Sequence, residues 1–168
     1  MKNTELVAVI DKAGRTIDYV PRYKLGPQHT WKIISVWIEN SQGEALMQQR
    51  SYQKALAPGL WTPAVEGTVE KDDSFLETAK REIAEEIGLT NFKLIPAKKI
   101  FYKAEFGLRL AQGYRATTDW PIERFTIQKE ELEQLAWMDK QTVIKDIKAA
   151  DSKYPVNAFI WLDMFDLQ

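Results

Sequence analysis

The chain has 168 residues, 45% hydrophobic and 28% charged, which fits one compact domain with a real core and excludes a disordered, collagenous or repeat protein. Lysine and arginine total 23 against 24 acidic residues, a net charge of −1, so no basic excess exists to follow an extended nucleic acid. With no cysteine and one histidine, His29, disulfide scaffolds, thiolate zinc sites, cysteine nucleophiles and multi-histidine metal sites are excluded.

The opening MKNTELVAVIDKAGR breaks its apolar run at Glu5 and Asp11. Neither a signal peptide nor a membrane span is expected, and the expected location is cytoplasmic. Leu6 to Ile10 and Thr16 to Val20 are β-prone runs split by Asp11-Lys-Ala-Gly14, which predicts an N-terminal β-hairpin. Thr30 to Asn40, rich in β-branched and aromatic residues, is followed across Ser41-Gln-Gly43 by EALMQQR, ending at Arg50, as a second hairpin. SYQKALAPGLW reads as a loop around Pro58-Gly59, and Trp61 to Val69 resumes an extended run. From Phe75 the period changes: Leu76, Ala79, Ile83 and Ile87 recur at helical spacing and are expected to face the core. Ser74 and Glu77 make a capping box, and Gly88 stands where a C-cap glycine belongs. Strands are predicted over Lys98 to Phe106, Ile122 to Gln128 and Leu135 to Met138, with Gly107 to Trp120 a loop between the first two. Gln141 to Ala150 and Asn157 to Leu167 read as closing helices. The last is apolar around nearly its whole circumference, so it should be buried in the domain's own core, with a homodimer contact as the alternative. Strands on both sides of one central helix imply an α+β domain spanning 1–168, a mixed sheet with helices packed on it.

Between Glu66 and Glu86 stand eight carboxylates against three basic residues. At helical spacing Glu82, Glu85 and Glu86 share one face, where like charges disfavour the helix and raise one another's pKa unless a cation compensates. A hard divalent cation such as Mg²⁺ takes carboxylate oxygens and keeps positions for water or phosphate. The alternative for an arbitrary acid pair is a solvated helix face.

The surrounding spacing decides between them. GTVEKDDSFLETAKREIAEEIGL, Gly67 to Leu89, resembles the Nudix box at every fixed position except the first acid, which is Asp73 where the family has Glu. Average residue usage puts a chance match in this chain at about one in ten million. The resemblance implies a Nudix fold, a mixed β-sheet sandwiched between helices, with box acids holding Mg²⁺, or Mn²⁺ in its place, against a diphosphate. Carried over by position, Glu85 and Glu86 are metal ligands, Glu82 is a ligand or the base that activates water, and the Gly67 carbonyl is a further ligand. Arg81 resembles the structural arginine that pairs with the first acid, here Asp73, and orients the glutamates. A shorter Asp loosens that brace without removing metal binding. An acid outside the box usually completes the site six residues before a tryptophan. Counting back from Trp137 gives Glu131, with Glu130 and Glu123 as alternatives.

Upstream, DKAGRTIDYVPR and GEALMQQRSYQKALAPGLWTPAVEGTVE resemble the Nudix branch related to isopentenyl diphosphate isomerase. Coverage runs from about Leu6 to Leu89. That isomerase reaction uses a cysteine and histidines this chain lacks, so the resemblance implies a hydrolase. Its substrate would be a nucleoside diphosphate derivative or similar small organic diphosphate. A non-catalytic Nudix-fold ligand-binding or regulatory module is the alternative. Arg50 and Lys54 are candidates to clamp phosphate, and Trp61 and Trp120, beside loops, to stack on a base. Trp37, at the centre of a strand, reads as core, and His29 as structural or surface. Selectivity among diphosphates is assigned to loops such as Gly107 to Trp120.

Overall fold

The computed structural model describes residues 5–168. Its centre is a nine-stranded mixed sheet. The predicted N-terminal hairpin forms from β1 (Leu6–Ile10) and β2 (Thr16–Pro21). β3 (Trp31–Glu39) is the hub: one edge takes the parallel β8 (Leu108–Thr117) along its whole length. Its other edge is shared by β1, by β6 (Val65–Thr68) and, at the far end, by β4 (Glu44–Arg50). Outside these lie β5 (Trp61–Pro63) and β9 (Leu132–Asp139) on β4, and β7 (Ile95–Lys103) on β8.

Side-chain alternation along β3 divides the core. Ile34, Val36 and Ile38 face one layer with Val65, Ala79, Ile83 and Ile87, the last three from α1 (Phe75–Ile87). Trp37 faces the other with Met47, Ile144, Trp161, Met164 and Phe165, under α2 (Lys140–Lys148) and α3 (Phe159–Met164). Helices thus cover both faces, the expected sandwich. Among the described residues no helix is long and apolar enough to cross a membrane.

Four expectations need correction. The segment Gly107 to Trp120, read as a loop, contains β8, one of the two central strands. Its polar residues mislead because their partners are distant in sequence: Gln112 Nε2 donates to Ala97 O at 3.0 Å, and Arg115 Nη1 to Phe165 O at 2.6 Å. Gly113 is needed because a Cβ there would stand 2.7 Å from Met164 Cγ, where the C-terminal segment lies on the strand. Conversely, Ile122 to Gln128 forms no strand. It starts with a 3-10 turn, Ile122–Arg124, and then covers the end of α1, with Thr126 N donating to Ile87 O and Gln128 N to Glu86 O. Its Ile122, Phe125 and Ile127 pack on the core instead of alternating across a sheet. Leu76, expected in the core, is 42% exposed. The terminal helix is shorter than read, yet Ile160, Trp161, Met164, Phe165 and Leu167 are buried, and Asp163 and Asp166 turn out to Lys98.

Candidate active site

α1 begins where the sequence says it should. Ser74 Oγ accepts from Glu77 N at 3.1 Å, the Glu77 carboxylate accepts from Ser74 N at 2.9 Å, and Gly88 closes the helix at φ +66°. Local signals alone fix this register, and the register sets where the acids go. Glu82 and Glu86 are 9% and 6% exposed, turned toward the sheet, while Glu85 lies at the surface. Arg81 gathers the surrounding acids: Nη2 lies 3.2 Å from both Asp73 and Glu70, and Nη1 lies 2.9 Å from Glu82 and 3.7 Å from Glu85. Burial lowers the guanidinium's pKa, but Glu82, Glu70 and Asp73 outweigh it and hold it above the ordinary value. The Arg81–Asp73 contact exists despite the shorter acid. Gly67 is packed against this group, since a Cβ there would stand 2.6 Å from Glu82 Cγ and 2.9 Å from its Cδ.

A cleft of about 990 Å³ opens beside these residues. Glu82, Glu85, Glu86, Gly67, Arg81, Arg50, Lys54 and Glu131 all line it. Arg50 closes β4 and donates Nε to Leu56 O at 3.0 Å, shaping the following loop. That loop carries Lys54, which makes a short ion pair with Glu131. Glu131 is anchored by its backbone: its carbonyl accepts from Ser51 N and its own N–H donates to Gln128 O, both at 2.9 Å. Glu86 is the most loaded group. Burial pushes its pKa well up, Glu82 and Glu131 push it further, and Arg50 and Lys54 only partly offset them. Its Oε2 is buried with no hydrogen-bond partner among the described residues.

The structure sets other candidates outside the cleft. Trp61 starts β5 and packs with the α2 and α3 core. Trp120 meets Phe125 in a tilted ring contact at 5.4 Å and lies under Arg124 at 4.0 Å, on the α1 side. His29 Nδ1 accepts from Gly26 N at 3.0 Å, a turn-closing bond before β3. Glu130 and Glu123 are exposed and do not line the cleft. Closeness to a loop in sequence did not put either tryptophan near the acids. Sequence reading also missed Glu70, the second acid on Arg81, and Glu66. Glu66 accepts from Ser35 Oγ at 3.4 Å and from the Trp161 indole. Burial pushes its carboxyl up to about 7, against the pull of Arg50 and these hydrogen bonds. Strand alternation next to Gly67 was the available signal for Glu66: on β6 the two neighbours face opposite sides, Glu66 toward Trp161 and Gly67 toward Glu82. Nothing local marks Trp31, Tyr102, Arg109 or Trp161, which line the cleft on the α3 side.

The donor chemistry is all oxygen, and the repulsion among Glu82, Glu86 and Glu131 around an unpartnered buried oxygen fits a hard divalent cation. As the side chains stand, no three of the described His, Asp or Glu residues converge tightly enough to hold one. Arg81 instead serves as counter-cation to Glu82 and Glu85.

The family model for the NUDIX domain matches residues 29–158. An uncharacterised Nudix hydrolase of Pseudomonas aeruginosa is 27% identical over 149 residues, covering 88% of this chain and 86% of that protein. An isopentenyl-diphosphate Delta-isomerase of Clavibacter sepedonicus is 26% identical over 151 residues, covering 85% of this chain and 78% of that one. In fold, DR0079 from Deinococcus radiodurans superimposes with a TM-score of 0.79 at 16% identity, over 96% of this chain and 99% of that one. With a domain match over most of the sequence, relatives aligned along most of their own lengths and the box helix placed on a cleft, the chain belongs to the Nudix hydrolase family.

Proposed function

We propose that this chain is a divalent-metal-dependent pyrophosphohydrolase that cleaves the diphosphate linkage of a nucleoside diphosphate derivative or similar small organic diphosphate. One observation carries the reading: the Glu86 carboxylate is buried at a large cleft, has an unpartnered oxygen and is repelled by Glu82 and Glu131. Glu82, Glu85, Glu86 and the Gly67 carbonyl would hold the metal, Mg²⁺ or Mn²⁺. When bound, it supplies neutralisation of phosphate charge and polarisation of an attacking water. Holding a shared cation requires Glu82 and Glu85 to leave Arg81 Nη1, while Nη2 keeps Asp73 and Glu70. Glu131, oriented by Lys54, is the carboxylate placed to take the proton from the attacking water. Arg50 and Lys54 offset charge on the phosphate oxygens.

The test is hydrolysis by the purified protein, with and without Mg²⁺, of nucleotide sugars, dinucleotides, CoA and prenyl diphosphates, with Glu86→Gln as control. A blank across the panel with ligand binding retained would favour the non-catalytic module.

Two further outcomes follow from the same geometry. In the metal-free protein Glu66 and Glu86 hold protons at pH values where the unfolded chain has released them. Stability is therefore expected to rise as pH falls from about 7 toward 4.5 and to drop as pH climbs back through that window. Because a metal binds the deprotonated carboxylates, the melting increment given by Mg²⁺ should be larger at about pH 8 than at about pH 5.5. Melting curves at both pH values with EDTA or Mg²⁺ check this, and an increment independent of pH would count against these carboxylates as the ligands. Gly67→Ala drives a methyl into Glu82, and since a misplacement of about 1 Å costs on the order of a hundredfold, kcat should fall by about that factor with the fold intact. Circular dichroism with Mg²⁺ titration of turnover measures it; wild-type kinetics would show that the position of Glu82 does not matter.

A further inference from the structure

On the α3 side of the cleft, three strands present a row of side chains to one face. Register pairs Tyr102 of β7 with Arg109 of β8, and Arg109 with Trp31 of β3. All three line the cleft, together with Ile33, Phe106 and Trp161. Apart from the Glu66 carboxylate and the exposed Lys103 and Glu105, this half is apolar and aromatic, and Arg109 is its buried cation. Arg109 is only 4% exposed, and its guanidinium lies over the Trp31 ring, with Cζ 3.0 Å from the ring centroid.

The other arginines and Lys54 in the cleft each face at least one carboxylate. Arg22 pairs with Glu5 at 3.1 Å, Lys54 with Glu131 and Arg81 with its four carboxylates, while Arg50 is drawn to Glu66 and Glu86. Arg109 differs: among the described residues no carboxylate pairs with it, and its one hydrogen bond runs from Nη1 to Leu108 O at 2.9 Å. A guanidinium carries five N–H donors, and stacking on an indole leaves them directed outward in its own plane. Burial pulls its pKa down to about 10, so it keeps its charge at neutral pH. A charge buried without a partner is costly in the free protein. It is compensated when an anion arrives, and an arginine fork matches the two oxygens of a phosphate or carboxylate.

We propose that Arg109, stacked on Trp31, forms a subsite for a second anionic group of the substrate, a phosphate monoester or carboxylate carried apart from the scissile diphosphate. The Glu86 group handles the diphosphate on the α1 side, and β6 separates the two halves. The inference deepens the hydrolase reading and names a chemical class within it: diphosphates bearing an additional anion on their organic part.

The test compares ligands that differ only in that anion: CoA with dephospho-CoA and NADPH with NADH for phosphate, and UDP-glucuronate with UDP-glucose for carboxylate. Binding is read as the melting shift of the protein, and turnover as kcat and KM with Mg²⁺. The wild type should favour the anion-bearing member of one arm by about tenfold or more in Kd or KM, and which arm responds identifies the anion. Arg109→Met should abolish that preference, in Kd and in KM alike. Arg109→Lys, which keeps charge but lacks the fork, should retain only part of it. Without ligand, Arg109→Met should melt at or above the wild type, because it removes an unpaired buried cation. A role confined to packing on Trp31 predicts a lower melting point and no change in selectivity, and that result overturns the proposal. Equal treatment of both members in every arm, in binding and turnover alike, also overturns it. Loss of turnover on all compounds with an Arg109-dependent melting shift retained would sink the hydrolase reading and leave the anion subsite standing.

Discussion

Glu86→Gln is expected to lower kcat/KM about a thousandfold, since metal-ion charge stabilisation is worth several kcal/mol and each 1.4 kcal/mol or so is tenfold. The same substitution should raise the melting temperature of the metal-free protein. Glu86 is buried beside two other carboxylates, and its Oε2 has no hydrogen-bond partner among the described residues, so a neutral amide there removes the repulsion and the cost of a buried charge together. Mg²⁺ should no longer stabilise the variant as it does the wild type. Glu82→Gln parts from this pattern. From the sequence, both glutamates share one face and both substitutions should relieve repulsion, but Glu82 lies 2.9 Å from Arg81 Nη1. Its loss leaves Arg81 short of a partner, so turnover should collapse while metal-free melting does not rise. Full Mg²⁺-dependent turnover by Glu86→Gln would show the metal site to be elsewhere.

That contrast also shows how far sequence reading reaches. The box helix was legible down to its caps because its signals are local: Ser74 and Glu77 bond each other, and Gly88 adopts the left-handed turn that favours glycine. The acid spacing was legible because a family pattern records it. What was lost depends on contacts between distant segments. In sequence β8 looks like a loop because Arg109, Gln112, Gly113 and Arg115 interrupt its apolar alternation, and each is explained only by a partner far away: Trp31, Ala97 O, Met164 and Phe165 O. The apolar run at Ile122 to Gln128 errs in the opposite direction. It carries a strand's composition but serves as a cover over the end of α1, where tertiary contact overrides propensity. The same limit governs the site. Arg50, Lys54 and Glu131 were found because they flank the box pattern or a counted tryptophan. Glu66, Trp161 and Arg109 were not, since they reach the cleft from β6, α3 and β8.

Glu131→Gln is expected to lower kcat by about a hundredfold or more, the usual contribution of a positioned general base, whereas Glu130→Gln should stay near wild type. The sequence leaves these neighbours one residue of loop slack apart, and the structure separates them. Glu131 lines the cleft, pairs with Lys54 and adds to the charge felt by Glu86, while Glu130 is exposed outside it. Backbone bonds to Ser51 and Gln128 hold the segment in that register, so exchanging the two acids would need both to break. The effect should fall on kcat rather than KM, because a base acts on the attacking water and not on the ground-state diphosphate. If Glu131 takes that proton, the limb of the pH–rate profile reporting the base should vanish in Glu131→Gln and persist in Glu130→Gln. Kinetics with Mg²⁺ across pH for both variants read this directly. Unchanged turnover in Glu131→Gln would move the role to Glu82, the cleft carboxylate that the box resemblance offers as the base, whereas a loss confined to KM would make Glu131 a positioning partner of Lys54.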